Sequence, residues 1–456
     1  MKRKIVSIIL AASIVASVTG CGNDQPQVQP SNGGETTSVS SPTEAPTEAP
    51  TEATPEPTEE APAEEFEEFS WITPNYNGIM TNLGGDNSFV YSPEAFNVTL
   101  DMYGRLLADS SEKNNINAIL HDKDCLGGYV GSLFHGDEEK KDLTFYNYTW
   151  YDSAYLDEAS IALDDVYMYY MQAISEYDRE KWGDKITDIK NTGISQKVPT
   201  YFRTPIDFTK MICESLSLPV YDGKWDASYE VFGDTSVHFT AADGSSLSPK
   251  AIGAHFSAEN NDALCGYAEF DDVDMAQLVL ADGNVMHIIL PKEDTDIHSL
   301  EIERYIGSMN HFAKPSDYHS VDEMNLVIPC FVLNNEWVMT EDDEELKELW
   351  GFTRLGDKSI KQKLWKDTVQ DFVEEIPHTA NYTLPTVCVD ENGEEVEKPE
   401  FTCPQEAGLI EDEDGHTTYN FLCNRPFIFA IYDVENDGLA FVGQVMGTDA
   451  FENVKY

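Results

Sequence analysis

One stretch near the C-terminus has residue types that could bind a metal ion. DVENDG at 433–438 begins like a calcium-binding loop, in which oxygen ligands alternate and a bidentate Glu closes the site at the twelfth position. Here Glu435 holds the third position and Gln444 holds the twelfth. The acidic stretch EDEDGH at 411–416 also lacks ligands at suitable spacing. Both stretches are interpreted as surface turns, and no metal site is predicted.

Linear catalytic motifs are missing from the sequence. It has no HExxH zinc motif, no GxSxG nucleophile turn and no glycine-rich phosphate loop. The 10 histidines are scattered, and among 83 acidic residues a pair of acids does not single out a site. A spatially assembled site leaves no linear motif. Nothing in the residues nevertheless calls for an enzyme or a cofactor.

Cys21 is the thiol whose context points most clearly to a chemical modification. Basic residues at 2–4 are followed by an apolar run over 5–18 and by small residues before the cysteine. This is the pattern of a secretory signal, and the run is too short for a transmembrane helix. Because VTGC at 18–21 resembles a bacterial lipobox, we predict a lipoprotein signal peptide over 1–20 and a lipid on Cys21. The alternative is an ordinary cleaved signal beside an unrelated cysteine.

A linker follows over residues 21–69. Its repeats of Pro, Thr, Glu and Ala contain no Lys or Arg and almost nothing to bury. Such a composition stays extended and solvated, and its like charges repel one another. We predict a disordered stalk that ends at a folded domain over 70–456. Whether threonines of the stalk are glycosylated stays open.

The net charge restricts the possible partners. The chain has 29 basic and 83 acidic residues, which gives a formal charge of −54 at pH 7. Binding to nucleic acid or to anionic lipid needs Lys and Arg against phosphates. Nucleic acid is therefore excluded as a partner, and the membrane is expected to be reached only through the lipid on Cys21.

Seven further cysteines follow Cys21, and none is spaced as a metal-binding or redox pair. They stand, without a CxxC, at positions 125, 213, 265, 330, 388, 403 and 423. Cys403 and Cys423 are candidates for a disulfide. The sequence leaves that pairing, and the state of Cys388, open.

Local patterns predict helices at two places. NSFVYSP at 87–93 indicates a short strand, then Ser92 as a helix cap and Pro93 at the first helical position. The apolar residues of this helix follow at helical spacing, at Phe96, Leu100, Tyr103 and Leu107. TEDDEELKELWGF at 340–352 predicts another helix, which a capping box opens and a glycine closes.

Strands dominate the second half of the sequence. MAQLVLADGNVMHIILP at 275–291 indicates two strands around an Asp-Gly turn. NLVIPCFVL at 325–333 indicates one buried strand, and RPFIFAIYDVENDGLAFVGQVM at 425–446 indicates two core strands joined by a turn. Because helices and strands mix without regular alternation, the predicted fold class is α+β.

A long polar stretch interrupts these strands at 386–421. It begins like a strand, with Val387 and Val389 on one side, and becomes acidic from Glu391 onward. It contains two prolines and little apolar surface. A loop of this length inside a compact domain is usually functional.

Taken in order, the segments resemble serpins, a family of serine protease inhibitors. The matching segments are NSFVYSP (87–93), EKWGDKITDI (180–189), YDGKW (221–225, followed by Thr235 and Phe239), MHIILP (286–291), IPCFVL through LKELWGF (328–352) and NRPFIFAIYDVENDGLAFVGQV (424–445). They extend over nearly all of 70–456. The resemblance implies a large central mixed β-sheet, a second β-sheet region, surrounding helices and an exposed reactive-centre loop.

The resemblance also implies a role for the polar stretch. In serpins the segment before the C-terminal hairpin is the reactive-centre loop, a bait that proteases cut, and serpins are not enzymes. In inhibitory members the cut loop inserts into the large sheet and traps the protease. Val387 and Val389 would end the fifth strand of that sheet. The implied hinge residues are Glu391, Gly393, Glu394 and Val396, and the candidate reactive-site region comprises Phe401, Ala407, Gly408, Leu409 and Ile410.

The hinge departs from the inhibitory pattern. Inhibitory serpins carry small residues after the hinge glycine, because alternate side chains become buried in a central strand. This chain has Glu394, Lys398 and Glu400 on that face, with Pro399 between them. Burying unpaired charge is costly, and proline removes a ladder donor. Ala95 also stands where a serine is usual, so trapping is expected to be inefficient.

Two functions stay open. One is a monomeric protease inhibitor, lipid-anchored outside the bacterial cell membrane, with a bait near 391–424 for a serine or cysteine protease. No Lys or Arg lies between Lys398 and Arg425, so the extracellular target is not trypsin-like. The other is a non-inhibitory binding or sacrificial-substrate module, which the hinge composition favours. The resemblance to serpins favours the inhibitor, which ranks first. An unrelated solute-binding lipoprotein would leave the ordered segments unexplained.

Overall fold

The computed structural model describes residues 76–106, 143–152, 171–174, 213–226, 231–261, 265–300, 318–340, 361–363, 368–370, 375–390, 392–434 and 438–452, with single residues at 114, 116, 117, 120, 302, 305 and 454. All of them fall in the compact unit Glu64–Tyr456. The helices are α1 (Tyr76–Leu83), α2 (Pro93–Leu106), α3 (Ala258–Asn261) and α4 (Thr448–Phe451), with a 3-10 helix at Ile297–Ser299. Within the described ranges, no helix is long and apolar enough to cross a membrane.

Strands make up most of the described structure. They are β1 (Phe89–Tyr91), β2 (Leu143–Asp152), β3 (Met171–Ile174), β4 (Cys213–Tyr221), β5 (Trp225–Asp226), β6 (Val231–Ser236), β7 (Phe239–Thr240), β8 (Ser246–Leu247), β9 (Lys250–Ser257), β10 (Gly266–Glu269), β11 (Val273–Val279), β12 (Val285–Pro291), β13 (Tyr318–Ser320), β14 (Glu323–Pro329), β15 (Val332–Thr340), β16 (Lys361–Lys363), β17 (Thr368–Gln370), β18 (Glu375–Thr383), β19 (Cys388–Val389), β20 (Gly408–Glu411), β21 (Thr417–Leu422), β22 (Phe427–Asp433) and β23 (Gly438–Val445).

The C-terminal hairpin β22–β23 lies inside an antiparallel sheet of seven strands, in the order β1-β23-β22-β12-β11-β10-β13. Both strands are buried along nearly their whole length. Their alternating apolar face is completely buried, at Phe427, Phe429, Ile431, Phe441 and Val445. Because each fully buried large side chain contributes about 1.5–3 kcal/mol, this hairpin is a main source of stability.

A second sheet has five strands, in the order β20-β21-β14-β9-β6. β14 and β21 are parallel, and the other neighbours are antiparallel. One face packs on the core through Phe256, Leu326 and Phe421. At the boundary between the two sheets, Tyr419 stacks on Tyr267 with the ring centroids 3.5 Å apart. The opposite face of the five-stranded sheet carries the long loop.

A third region consists of a mixed sheet of three strands and a sheet of two strands. β2 pairs in parallel with β3 and antiparallel with β4, while β15 pairs antiparallel with β18. β4 and β18 lie side by side although they belong to separate ladders. The line between β4 and β18, at which this sheet region divides into two, is called the seam below.

Most of the locally predicted elements are confirmed. Ser92 caps α2, with its Oγ accepting the N–H of Ala95 at 3.2 Å. β11 and β12 flank a turn in which Gly283 has a φ of 92°. The prediction of one strand over 325–333 is wrong, because the chain passes from β14 to β15 in a different sheet at Cys330. Thr340 ends β15, and the rest of the predicted helix at 340–352 lies outside the described residues.

Candidate functional site

The long loop begins where β5 and β19 pair in parallel at one end of the seam. The Trp225 backbone N–H donates to the Val387 carbonyl at 2.8 Å. The Trp225 indole N–H donates to the Pro385 carbonyl at 2.5 Å, and the whole side chain is buried. Parting β5 from β19 would therefore break these hydrogen bonds and expose an aromatic ring. β18 ends earlier, at Thr383, so the predicted continuation to Val389 as one fifth strand is wrong.

The hinge folds back on β19 as a small hairpin. The Asp390 N–H donates to the Glu394 carbonyl, and the Val396 N–H donates to the Cys388 carbonyl, each at 2.9 Å. Asp390 Oδ1 also accepts the Glu394 N–H at 3.0 Å. Gly393 has a φ of 77°, a conformation that favours glycine. The chain thus reverses direction at the hinge residues that the resemblance implies.

Residues 397–407 form a strap over the outer face of the five-stranded sheet. The Asp234 N–H donates to the Pro399 carbonyl at 3.1 Å, and the Phe401 N–H donates to the Asp234 carbonyl at 2.9 Å. Glu400 thereby forms a parallel bridge with Asp234 at the edge of β6. Lys398 Nζ lies 2.6 Å from Asp234 Oδ1. The start of the strap is therefore fixed to an edge of the sheet.

Phe401 anchors the strap, and its side chain is only 7% exposed. It packs with an apolar cluster on the sheet, comprising Val237, Ala251, Val327 and Leu422, with Cys403 beside it. Gly233 and Gly253 leave the space, because a Cβ on Gly253 would overlap the Phe401 ring and a Cβ on Gly233 would overlap the Pro399 carbonyl oxygen. Two strand glycines thus form the floor of a slot for one aromatic side chain.

A row of polar side chains crosses the same face and meets the far end of the strap. His255 Nδ1 lies 2.9 Å from Asn325 Oδ1, and Asn325 Nδ2 donates to Asn420 Oδ1 at 2.9 Å. Asn420 Nδ2 in turn donates to the Glu406 carbonyl at 2.9 Å. The strap is therefore held at both ends.

The tip of the loop is the hairpin β20–β21. Its turn is fixed by Asp412, whose carboxylate accepts the N–H groups of His416 at 3.0 Å and Asp414 at 2.9 Å. These hydrogen bonds lower the pKa of Asp412 below its usual 3.8. β20 is an end strand in the described part of its sheet, and it carries Leu409 and Ile410, which are 55% and 43% exposed. Exposed apolar side chains on a strand edge are typical of an interaction surface.

A polar cleft of about 500 Å³ lies elsewhere, next to the ends of β12 and β23. Its basic side chains contact neighbouring groups of the protein. Arg425 Nε donates to the Pro291 carbonyl at 2.7 Å, and His298 Nε2 lies 3.3 Å from Asp86 Oδ1. Because both acidic and basic side chains line it, the cleft does not single out a charged ligand.

Comparison with known proteins decides the family. The family model described as "Serpin (serine protease inhibitor)" matches residues 80–448. The chain belongs to the serpin family. No curated protein sequence matches it.

Solved serpin structures share the fold at low sequence identity. A native thermophilic serpin, tengpin, is 17% identical with a TM-score of 0.56, covering 85% of this chain and 96% of its own. A structure described as a tumour suppressing serpin is 14% identical with a TM-score of 0.58, and the match covers 83% of this chain and 98% of that serpin. The mouse protein-Z dependent protease inhibitor is also 14% identical with a TM-score of 0.55, and the match covers 82% of this chain and 93% of that inhibitor. At these identities the likeness establishes the fold: an α+β serpin fold with a large mixed sheet and additional sheets.

The candidate residues of this serpin fall into three environments. Gly393, Glu394 and Val396 are exposed in the turned-back hinge, and Phe401 is buried in the slot. Ala407 is exposed at the end of the strap, while Gly408, Leu409 and Ile410 lie in β20. The structure therefore separates Phe401 from the other candidates for the reactive site. Glu391 and Cys21 lie outside the described residues.

Sequence reasoning missed the residues that hold the strap. Asp234 supplies both backbone bonds and the carboxylate for Lys398, and Gly233 and Gly253 make room for the ring. A glycine inside a strand-forming segment, as at Gly233 and at Gly253, was a usable signal, because such glycines often mark a close approach of another segment. The sequence gives no indication of which segment approaches.

Five of the cysteines in the part of the chain that the structure describes are free thiols, at Cys265, Cys330, Cys388, Cys403 and Cys423. The pairing of Cys403 with Cys423 that the sequence left open is therefore not formed. Burial raises the pKa of Cys330 and Cys388 to about 11 and also raises the pKa of Cys403. Because the thiolate is the nucleophile, none of these three is activated for chemistry. Among the described residues, no group of acids, histidines and cysteines is placed to hold a metal ion.

Proposed function

We propose that this serpin presents residues 404–416 as a bait to an extracellular protease, which binds and cuts them as a substrate. The observation that carries the proposal is the exposed pair Leu409–Ile410 on β20. The segment is already extended there, and no other strand of the described residues pairs with its outer edge, which suits a protease that pairs with its substrate as a strand. By occupying the active site, the bait diverts the protease from other substrates.

The bait composition suggests the class of protease. Between Lys398 and Arg425 it lacks Lys and Arg, and it offers Leu409 and Ile410 among acids. Chymotrypsin-like, elastase-like, subtilisin-like and acid-specific proteases fit this sequence, whereas trypsin-like enzymes have no primary site. A serine protease is the family default, and a cysteine protease is the other class that uses an acyl-enzyme.

Covalent trapping is the second candidate, and family membership favours it. Trapping requires the loop to enter the seam, and three features oppose that step: the β5–β19 pairing, the hinge hairpin and the buried Phe401. Glu394, Lys398 and Glu400 would then become buried in a central strand. These contacts support cutting of the bait with release of the enzyme.

We also propose that the protein acts as a monomer on the cell surface, held by a lipid on Cys21. Its support is the sequence pattern at 1–20 and the stalk composition over 21–69. A lipid anchor would concentrate the bait where secreted proteases reach the cell. Cys21→Ala should abolish acylation and membrane association while leaving the melting temperature of the domain unchanged. Membrane association of the variant equal to that of the parent would contradict this anchor.

A protease panel tests the bait directly. Brief digestion with chymotrypsin-like and elastase-like enzymes, followed by mass spectrometry, should place the first cuts between 404 and 416. The matched control is Leu409→Ala with Ile410→Ala, which should slow the cuts by the chymotrypsin-like enzyme at least tenfold without changing the melting temperature. First cuts confined to other segments would contradict the proposal.

A further inference from the structure

The outer face of the five-stranded sheet has features of a built recognition site. Gly233 and Gly253 are neighbours on β6 and β9, and the three heavy atoms nearest to a Cβ placed on either glycine all belong to the strap. A glycine inside a strand weakens the strand unless something needs the space. The glycine pair is therefore explained by the segment that crosses it.

We propose that this slot and the outer edge of β6 form a binding site for an extended peptide with a Lys three residues before an aromatic residue. The intact chain fills the site with its own Lys398–Phe401. The aromatic ring enters the slot, the peptide backbone pairs with both backbone groups of Asp234, and the ammonium group meets the Asp234 carboxylate. The three contacts thus recognise the aromatic side chain, the backbone and the Lys side chain of the peptide.

The contacts differ in importance. The Lys398–Asp234 pair is partly exposed, with side chains 18% and 67% accessible, so it orients the peptide more than it stabilises it. Phe401 is buried against apolar carbon and is expected to dominate binding. The pairing with Asp234 sets the direction of the peptide as parallel to β6. An aromatic residue is thus the primary requirement.

Because the strap is covalently attached, its local concentration excludes a free peptide of equal intrinsic affinity. The site becomes available to another segment when Phe401 is withdrawn or replaced. The site also regulates the bait, a consequence that rests on the proposed function. While Phe401 is bound, the start of the strap is held against the sheet, and the hinge cannot enter the seam without first emptying the slot.

Hydrogen exchange tests the occupied site in the full chain. The Asp234 and Phe401 amides should be protected in the parent. Phe401→Ala and Gly253→Ala disrupt the same contact from opposite sides, so each should lower protection at Asp234 at least tenfold. Amides of β22 and β23 should keep their protection, which reports that the fold is intact. Leu409→Ala, in the same loop but outside the slot, is the matched control and should change neither set. Unchanged protection at Asp234 in both slot variants would overturn the proposal.

A peptide supplied in trans tests recognition. A labelled peptide with the sequence of 396–404, carrying Ser at 403, should bind the Phe401→Ala protein and should not bind the parent. It should also fail to bind Phe401→Ala combined with Gly253→Ala, and the same peptide with Ala at 401 should fail on every protein. The proposed specificity would be overturned if the peptide did not bind the Phe401→Ala protein. It would also be overturned if binding were unchanged by Gly253→Ala or by Ala at 401 of the peptide.

The two tests separate this proposal from the proposed function. If Asp234 is protected through Phe401 but no protease cuts 404–416, the site stands and the bait function fails. If proteases cut 404–416 while the slot variants leave Asp234 protected, the bait stands and the site fails. When both hold, Phe401→Ala should add early cuts within 398–403, which the parent should not show.

Discussion

Leu409 and Phe401 are both large apolar residues of one loop, and their neighbours give them opposite roles. Phe401 finds two strand glycines and is buried, whereas Leu409 lies on an end strand and is 55% exposed. The side chain available to a protease is therefore Leu409. The sequence identified both as candidates but could not rank them, because the ranking depends on where β6 and β9 place their glycines.

A change of charge at this residue should redirect the specificity of the bait. Leu409→Arg places a basic residue on an exposed edge, where substitutions usually change the unfolding free energy by less than about 0.5 kcal/mol. A trypsin-like protease should then cut after position 409, a cut that the parent cannot show. Mass spectrometry after brief digestion measures it, and the cut should be at least tenfold faster than cuts elsewhere in 392–434. Absence of this cut in a folded variant would mean that β20 does not reach a protease active site.

His287 gives a second prediction at the residue scale, which concerns how the stability of the fold depends on pH. It is fully buried in β12, and burial lowers its pKa from 6.5 to about 3. Below pH 6.5 the unfolded chain binds a proton that the folded chain does not bind, so this residue lowers stability as the pH falls from about 6.5 toward 3. Between pH 7 and 5 the loss from this residue should be about 2 kcal/mol.

Urea unfolding of the parent and His287→Gln at pH 7 and pH 5 checks this contribution. The many carboxylates contribute equally to both proteins, so the difference between the two pH-dependent changes isolates His287. We expect the variant to lose about 2 kcal/mol less than the parent on acidification. Equal losses in both proteins would contradict burial of a neutral histidine.

At the scale of elements, hairpins with strong local patterns were predictable. β11–β12 and β22–β23 combine apolar runs with turn residues, so neighbouring positions suffice to predict them. The passage of the chain from β14 to β15 was not predictable. The two strands belong to different sheets, but residues 329–331 between them are as apolar as the strands, so the sequence shows no break. Docking of the strap depends on strands far away in the sequence, and no local pattern reports it.

The C-terminal hairpin β22–β23 should be the element least tolerant of substitution. Phe429 is completely buried, with its ring centroid 4.8 Å from that of Tyr382 and 5.0 Å from that of Phe331. Phe429→Ala should lower the unfolding free energy by about 3–5 kcal/mol, because it leaves a cavity among aromatic rings. Chemical denaturation measures the loss, with Leu409→Ala as an exposed control that should stay within about 0.5 kcal/mol.

A stronger version of the same prediction removes the hairpin. Deletion of 425–456 should leave no cooperative unfolding transition, since marginal stability cannot absorb the loss of two central strands. A soluble truncation product with a cooperative melt would show that the seven-stranded sheet does not depend on β22 and β23.

At the scale of the whole molecule, this serpin fold has a loop that is fixed on the five-stranded sheet, away from the seam between β4 and β18. Insertion would have to part β5 from β19, unfold the hinge hairpin and withdraw Phe401 before the loop could enter the seam. It would then bury Glu394, Lys398 and Glu400. On the proposed function, an acyl-enzyme formed on the bait would have time to hydrolyse during these steps. The family relation was predictable from ordered segments, whereas this competition is visible only in the tertiary contacts.

The reaction of the intact protein with an apolar-preferring serine protease tests this account most directly. Denaturing gels, mass spectrometry and residual protease activity follow one incubation at near-equal concentrations, and the melting temperature is compared before and after cutting. We predict a chain cut between 404 and 416, an enzyme recovered in active form, and a melting temperature that rises little. An abundant detergent-resistant complex at near-equal stoichiometry, with a large rise in the melting temperature of the cut protein, would contradict it.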